Sequence, residues 1–290
     1  MNSASCDPRV TPFRPDLAAT SLRGLLDAPR YVEGRAMQVV EACAPLRRSP
    51  ASDAPLETEA LFGETVTVFD ESEGWAWVQL ERDNYVGYLP LIALGTPREP
   101  THRVSALRTH AYPGPSVRMP PRVALSLGAL VAIARTEGEF AVSAEGLWLW
   151  ARHLTEVGWR EPDFVAVAER FLESPYLWGG RTSGGIDCSG LAQTALTAAG
   201  IPAPRDSDMQ AGLGETVESG VPLMRGDLVF WKGHVGIMRA PQTLLHANGF
   251  HMKVVSEPLE EARARIAAGG GGEVTGVRRV ARLPVAALAG

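Results

Sequence analysis

Three features of the 290-residue chain predict an α+β fold whose N-terminal half is built from strands. Short β-type runs broken by Gly and Asp/Asn turns fill residues 37–89, and a second set on the same plan follows to residue 151. Beyond Gly158 the pattern changes to helical spacing and then to successive strands; helices segregated from an antiparallel sheet mark an α+β domain.

Residues 1–35 are rich in Pro, Arg and Asp, with Leu17, Leu22, Leu25 and Leu26 hinting at a short helix. They are expected to be an arm packed against another part of the chain. A first small barrel is assigned to residues 36–97 on the runs Met37–Val40, Glu64–Phe69, Trp75–Leu80 and Tyr85–Leu89. A second is assigned to residues 98–158 on Arg103–Leu107, Ala129–Ala134, Phe140–Ser143 and Leu147–Ala151. Aligning Gly63 with Gly128 brings Gly74 within one residue of Gly138, which points to an internal duplication. In residues 159–290, Asp163 can cap a helix over Phe164–Leu172, and a glycine-rich loop, Trp178–Ile186, leads to Cys188. Leu191, Ala195, Leu196 and Ala199 recur at helical spacing until Gly200, and strands are expected at Asp227–Trp231, His234–Met238, Thr243–Ala247 and Lys253–Ser256.

Composition narrows the function classes. With 45% hydrophobic and 21% charged residues the chain can bury cores, which excludes disorder as its main state. Lys and Arg total 28 against 33 Asp and Glu, so the basic excess of a nucleic-acid binder is missing. Cys6, Cys43 and Cys188 stand in unrelated contexts, and three cysteines make neither a disulfide framework nor a two-pair zinc site. Ser3-Ala4-Ser5-Cys6 imitates a lipoprotein cleavage site, but no apolar stretch precedes it and charged residues follow. No later window supplies the roughly 18–20 uncharged residues that span a bilayer. A cytoplasmic protein with no membrane or nucleic-acid partner is expected.

Cys188 lies where a loop becomes a helix, and exposed N–H groups with the helix dipole stabilise a thiolate there. A buried apolar role is the alternative, and it is the one expected for Cys6 and Cys43. His234 and His246 favour chemistry. With the turn centred on Ala240-Pro241-Gln242, residue 234 pairs near 248 and residue 246 near 236, so the two histidines are diagonal neighbours on one face. One can take the Cys188 proton while the other holds its ring.

These residues carry a resemblance. Pro175-Tyr176-Leu177-Trp178-Gly179-Gly180, Gly185-Ile186-Asp187-Cys188-Ser189-Gly190, Pro204-Arg205-Asp206-Ser207, Gly226-Asp227-Leu228-Val229-Phe230, His234-Val235-Gly236 and His246-Ala247 resemble the NlpC family of bacterial cell-wall cysteine peptidases over about residues 165–280. Gly63-Glu64-Thr65-Val66-Thr67-Val68 and Gly74-Trp75-Ala76-Trp77-Val78 are similar to bacterial SH3-like domains. The resemblance implies a papain-like core with Cys188 as nucleophile, His234 as general base, His246 as the polar third member, Tyr176 assisting the oxyanion, and no cofactor or metal. It further implies that Tyr85 and Glu57 of the first barrel, with Asp187 and Ser189, select murein peptides with a free N-terminal L-Ala. The bond cut would then join γ-D-Glu to the diamino acid, in recycling of murein peptides. A zinc site, a catalytically dead wall-binding module and a related amidase or acyltransferase are the competing readings.

Overall fold

The computed structural model describes residues 6–280. The chain forms two compact units, Met1–Val157 and Gly158–Gly290. Among the described residues no helix is long and apolar enough to cross a membrane.

In the first unit the arm is a small sheet of Phe13–Arg14, Leu17–Ala19 and Tyr31–Val32, with one 3-10 turn at Thr20–Leu22 in place of the expected helix. Leu17 is fully buried while Leu25 is 76% exposed, so the leucines never formed a single apolar face. The arm packs on the first barrel: Val86 N–H donates to the Arg9 carbonyl, and Arg14 is bonded to Asp70 and lies over the Trp77 ring.

The first barrel is one antiparallel sheet in the order Leu94–Gly95, Arg35–Val39, Thr65–Ser72, Trp75–Leu80, Val86–Pro90, Cys43–Arg47, Leu56–Leu61. The strands at Cys43–Arg47 and Leu56–Leu61 are additions to the sequence reading, and each has its counterpart in the second barrel. Cys43–Arg47 pairs with Leu56–Leu61 and Val86–Pro90, as Arg108–Tyr112 pairs with Val123–Ser126 and Trp148–Trp150. Arg35–Val39 pairs with Thr65–Ser72 and Leu94–Gly95, as His102–Val104 pairs with Leu130–Val131 and Leu154–Glu156. Repetition of the whole pairing scheme is the signature of a duplication. Gly63 and Gly128 turn the same corner at φ +79° and +93°, a backbone region that glycine enters without strain. The barrels are also fused, because Leu61 is buried among second-barrel residues and Leu130 N–H donates to the Phe62 carbonyl at 2.8 Å.

The second unit carries the helices Phe164–Glu169, Cys188–Ala198 and Leu259–Ala268, with one further helical turn at Ser207–Gln210. Its antiparallel sheet runs Glu215–Thr216, Gly276–Arg279, Asp227–Trp231, His234–Ala240, Thr243–Asn248, Lys253–Pro258. Asp163 caps the first helix by accepting the Val165 N–H at 3.0 Å, and the helix closes three residues short of the expected Leu172. The Leu259–Ala268 helix covers Val229, Trp231, Met238 and Leu244. By the two-residue period of a strand, His234 shares a face with Met238, and His246 shares one with Leu244.

Candidate active site

Cys188 is placed by its own helix cap. Asp187 is extended and its carboxylate accepts the Gly190 N–H at 2.7 Å, so Cys188 is the first helical residue. The same carboxylate accepts the Gly179 N–H at 2.8 Å and two guanidinium bonds from Arg205, at 3.0 and 2.6 Å. Arg205 is 1% exposed and also donates to Ser189 Oγ at 2.8 Å. Loops come this close only because they lack side chains: a Cβ on Gly190 would stand 2.4 Å from the Gly180 carbonyl oxygen. The carboxylate that the sequence offers to a substrate ammonium is therefore committed to protein donors, and Asp187 has the geometry of a positioning residue. Ser189 is buried in the same network.

Cys188 is the buried cysteine; Cys6, expected inside, is exposed, and Cys43 is half-buried. The backbone N–H groups of Val235, the residue after His234, and of Ser189 are close enough to the Cys188 sulfur to favour its thiolate. The start of the helix is thus seated against the start of the His234 strand. Across the hairpin Ile237 faces Leu245 and Met238 faces Leu244, and continuing that register puts 234 opposite 248 and 246 opposite 236, as the turn position predicts. His234 Nε2 and His246 Nδ1 lie 2.8 Å apart and bond to each other, which leaves them unsuited to sharing a zinc ion.

Sequence reasoning misses what stands beyond His246. Glu257 lies two residues past Val255, the strand partner of His246, and its Oε1 is 2.6 Å from His246 Nε2. Arg265, from the Leu259–Ala268 helix, is bonded to the same oxygen and stacks on Phe250. Asn248 Nδ2 stands 3.0 Å from His246 Nε2. The two-residue period could have found Glu257 by the same diagonal argument that paired the histidines. No local signal announces Arg265, which arrives by helix packing; Arg205 stands in the Pro204-Arg205-Asp206-Ser207 motif, but nothing local assigns it to Asp187.

Tyr176 runs beside the approach to Cys188. Its N–H donates to the Met252 carbonyl at 2.9 Å, and it bridges Ile186. Burial, and then the neighbouring Cys188 and Asp187, push its phenol above the usual tyrosine range, so it stays a protonated donor.

Burial pushes the Cys188 thiol up to about 12, with Asp187 adding to the effect and the Val235 N–H, Arg205 and the Ser189 N–H opposing it. Burial takes His234 down to about 3, aided by His246 and Arg265 and opposed by Glu257. Burial thus works against the expected helix-start thiolate: desolvation opposes the amide donors at Cys188 and favours the neutral imidazole at His234. A base whose proton affinity is depressed loses function only when the solution is acid enough to protonate it. The acid limb of kcat/KM is therefore expected well below pH 6.5, the ordinary histidine value. A limb at or above that value in the wild-type profile would contradict that depression.

Of the barrel residues, Tyr85 is 2% exposed in the first barrel's core, with Val78, Leu80 and Leu89 around it. Its carbonyl accepts the Leu80 N–H that closes the hairpin turn, as the Leu147 carbonyl accepts the Ser143 N–H in the second barrel, so Tyr85 and Leu147 are equivalent positions of the two barrels. Counted from the far end of the same hairpin, Tyr88 is equivalent to Trp148, and the second hairpin is shorter. Glu57 pairs with Arg48 at 2.5 Å. Cys188, His234, His246, Tyr176, Asp187 and Ser189 thus belong to the second unit, and Tyr85 and Glu57 to the first.

Residues 173–265 match the NlpC/P60 family, and residues 46–94 match the bacterial dipeptidyl-peptidase Sh3 domain. The gamma-D-glutamyl-L-lysine dipeptidyl-peptidase of Bacillus subtilis (strain 168) is 31% identical over 223 residues, 68% of this chain and 73% of that protein. The chain belongs to the NlpC/P60 family. It is accordingly a cysteine peptidase, with an SH3-like segment ahead of the NlpC/P60 domain. A protein of the same name from Bacillus cereus (strain ATCC 10987 / NRS 248) is 27% identical over 245 residues, 70% of this chain and 71% of that one. The fold is shared with the crystal structure of an NlpC/P60 family protein from Bacillus cereus ATCC 10987, at a TM-score of 0.73 and 24% identity, covering 86% of this chain and 100% of that one. The NlpC/P60 match contains Tyr176, Cys188, His234, His246 and Glu257, and the Sh3 match contains Glu57 and Tyr85.

Proposed function

We propose that this NlpC/P60 peptidase hydrolyses the bond between γ-D-glutamate and an L-diamino acid, diaminopimelate or lysine, in murein peptides that begin with a free L-alanine. One observation carries the reading: a dipeptidyl-peptidase Sh3 segment precedes an NlpC/P60 segment in a chain that aligns along 73% of a relative named for γ-D-glutamyl-L-lysine. In this reading the Cys188 thiol attacks the γ-carbonyl while His234 takes its proton. His246 holds the His234 ring, and Tyr176 with the N–H groups at the helix start receives the oxyanion. The tetrahedral intermediate then expels the diamino-acid amine, which takes the proton from His234, and water hydrolyses the Cys188 thioester by the same route. A peptide with a free L-alanine amine has already been released from the wall, which supports a place in cytoplasmic recycling.

The test is a pair of L-Ala-γ-D-Glu-diamino acid peptides differing only in acetylation of the alanine amine. Cleavage after the second residue is expected, with kcat/KM for the free amine about 100-fold higher or more, since a buried polar partner left unpaired costs up to about 3 kcal/mol and a charged one more. Equal values would overturn the free-amine reading. Tyr85, Glu57 and Ser189 are proposed to contribute to that choice, so Y85F, E57Q and S189A should each narrow the ratio.

A further inference from the structure

The hydrogen bonds that leave His246 on its far side fix more than the position of one ring. We propose that Glu257 is a positioning residue of the hydrolytic site, which through His246 decides which ring nitrogen of His234 faces Cys188 without a proton, and that Arg265 tempers its charge. This rests on the reading of Cys188 and His234 as nucleophile and base.

The chain of inference starts at Glu257. Burial alone would raise its carboxyl, but the hydrogen bond from His246 and the Arg265 guanidinium beside it hold it below the usual range, so it is ionised and can only accept. His246 Nε2, 2.6 Å away, therefore carries a hydrogen. Burial keeps His246 neutral, so its Nδ1 is bare and must accept from His234 Nε2 at 2.8 Å. A neutral His234 that donates through Nε2 has its one lone pair on Nδ1, and that is the nitrogen left for the thiol proton.

Asn248 shows what happens without the carboxylate. Its Oδ1 accepts the His251 backbone N–H at 2.8 Å, which turns its NH2 group toward His246 Nε2 at 3.0 Å. With Glu257 in place two donors face each other there, and the closer carboxylate decides the outcome. With Glu257 removed, Asn248 becomes the donor, His246 Nε2 the acceptor, and every proton in the relay reverses. His234 would then present an N–H to Cys188 and could not act as its base. The charged and titratable groups around this relay are Cys188 at the helix start, Lys232 and Arg265 beside the cavity of about 200 Å³ that reaches His234, His246 and Glu257 on the sheet, and His251 in the turn after Asn248.

The variants are Glu257→Ala, Glu257→Ala with Asn248→Asp, and Arg265→Gln, all in the full chain. E257A is expected to lower kcat about 10²- to 10⁴-fold, the contribution of a general base, while KM stays within about twofold. N248D in the E257A background restores an acceptor at His246 Nε2 and should recover about tenfold or more of that loss. R265Q removes a positive charge that holds His234 down, so its acid limb should move to higher pH, whereas E257A should move the limb to lower pH. Nitrogen-15 shifts of the His234 ring report the relay without any substrate: Nδ1 is bare in the wild type and Nε2 in E257A. An E257A enzyme with wild-type kcat, a His234 ring unchanged by E257A, or acid limbs that move together in E257A and R265Q would each overturn the proposal. Hydrolysis by C188A would instead sink the underlying reading, and the ring shifts would still report on Glu257.

Discussion

Cys188→Ala is expected to cut hydrolysis of the murein peptide by at least about 10⁴-fold, because a chemical step that runs through a covalent thioester has no route without the sulfur. Neither of the other cysteines can substitute. Cys6 is exposed on the arm, and Cys43 belongs to the first barrel, where burial, with Glu59 adding to it, pushes its thiol far above the usual range. The fold should survive, since only one sulfur atom is deleted at a helix start held by Asp187 and Arg205. His234→Ala should be nearly as damaging. His246→Ala should cost less, because it removes the holder of the ring and leaves the base itself. Product masses from C188A, H234A and H246A measure all three, and hydrolysis persisting in C188A, or an inverted order of the histidine variants, would refute the assignments.

The largest effect on stability is expected from Arg205→Met. Arg205 is almost wholly buried and holds both oxygens of the buried Asp187 carboxylate, so its removal leaves a negative charge out of water with only backbone N–H groups and Ser189 against it. Breaking one side of a buried ion pair costs about 3–5 kcal/mol. For a unit of this size that lowers the unfolding midpoint by roughly 10 °C or more. Removing the orphaned charge as well, in Asp187→Asn with Arg205→Met, should destabilise less than the sum of the two single changes. Activity should fall with R205M too, because Arg205 is one of the groups that hold the Cys188 thiol down against burial. A midpoint for R205M close to wild type would show that the pair does not secure the helix start.

Much of this molecule was legible because its cues are local. Glycines at φ > 0 mark the barrel corners at Gly63 and Gly128, and Asp163 and Asp187 announce helix starts through a side chain and an N–H two or three residues apart. The turn at Ala240-Pro241-Gln242 sets the strand register, and with a two-residue period that register brings His234 and His246 together across twelve residues of sequence. The arm's helix failed for the opposite reason: its leucines share no helical face, Leu17 being buried and Leu25 exposed, while the arm is held to the first barrel through Arg9 and Arg14. What depended on packing between distant elements was hidden. Arg205 reaches Asp187 from a loop eighteen residues on, and Arg265 reaches Glu257 from a helix laid over the sheet. The protonation state of the Cys188–His234 pair belongs to that second group as well. Sequence placed the sulfur at a helix start, where amide dipoles favour a thiolate; only the folded unit surrounds it with protein and sets desolvation against them.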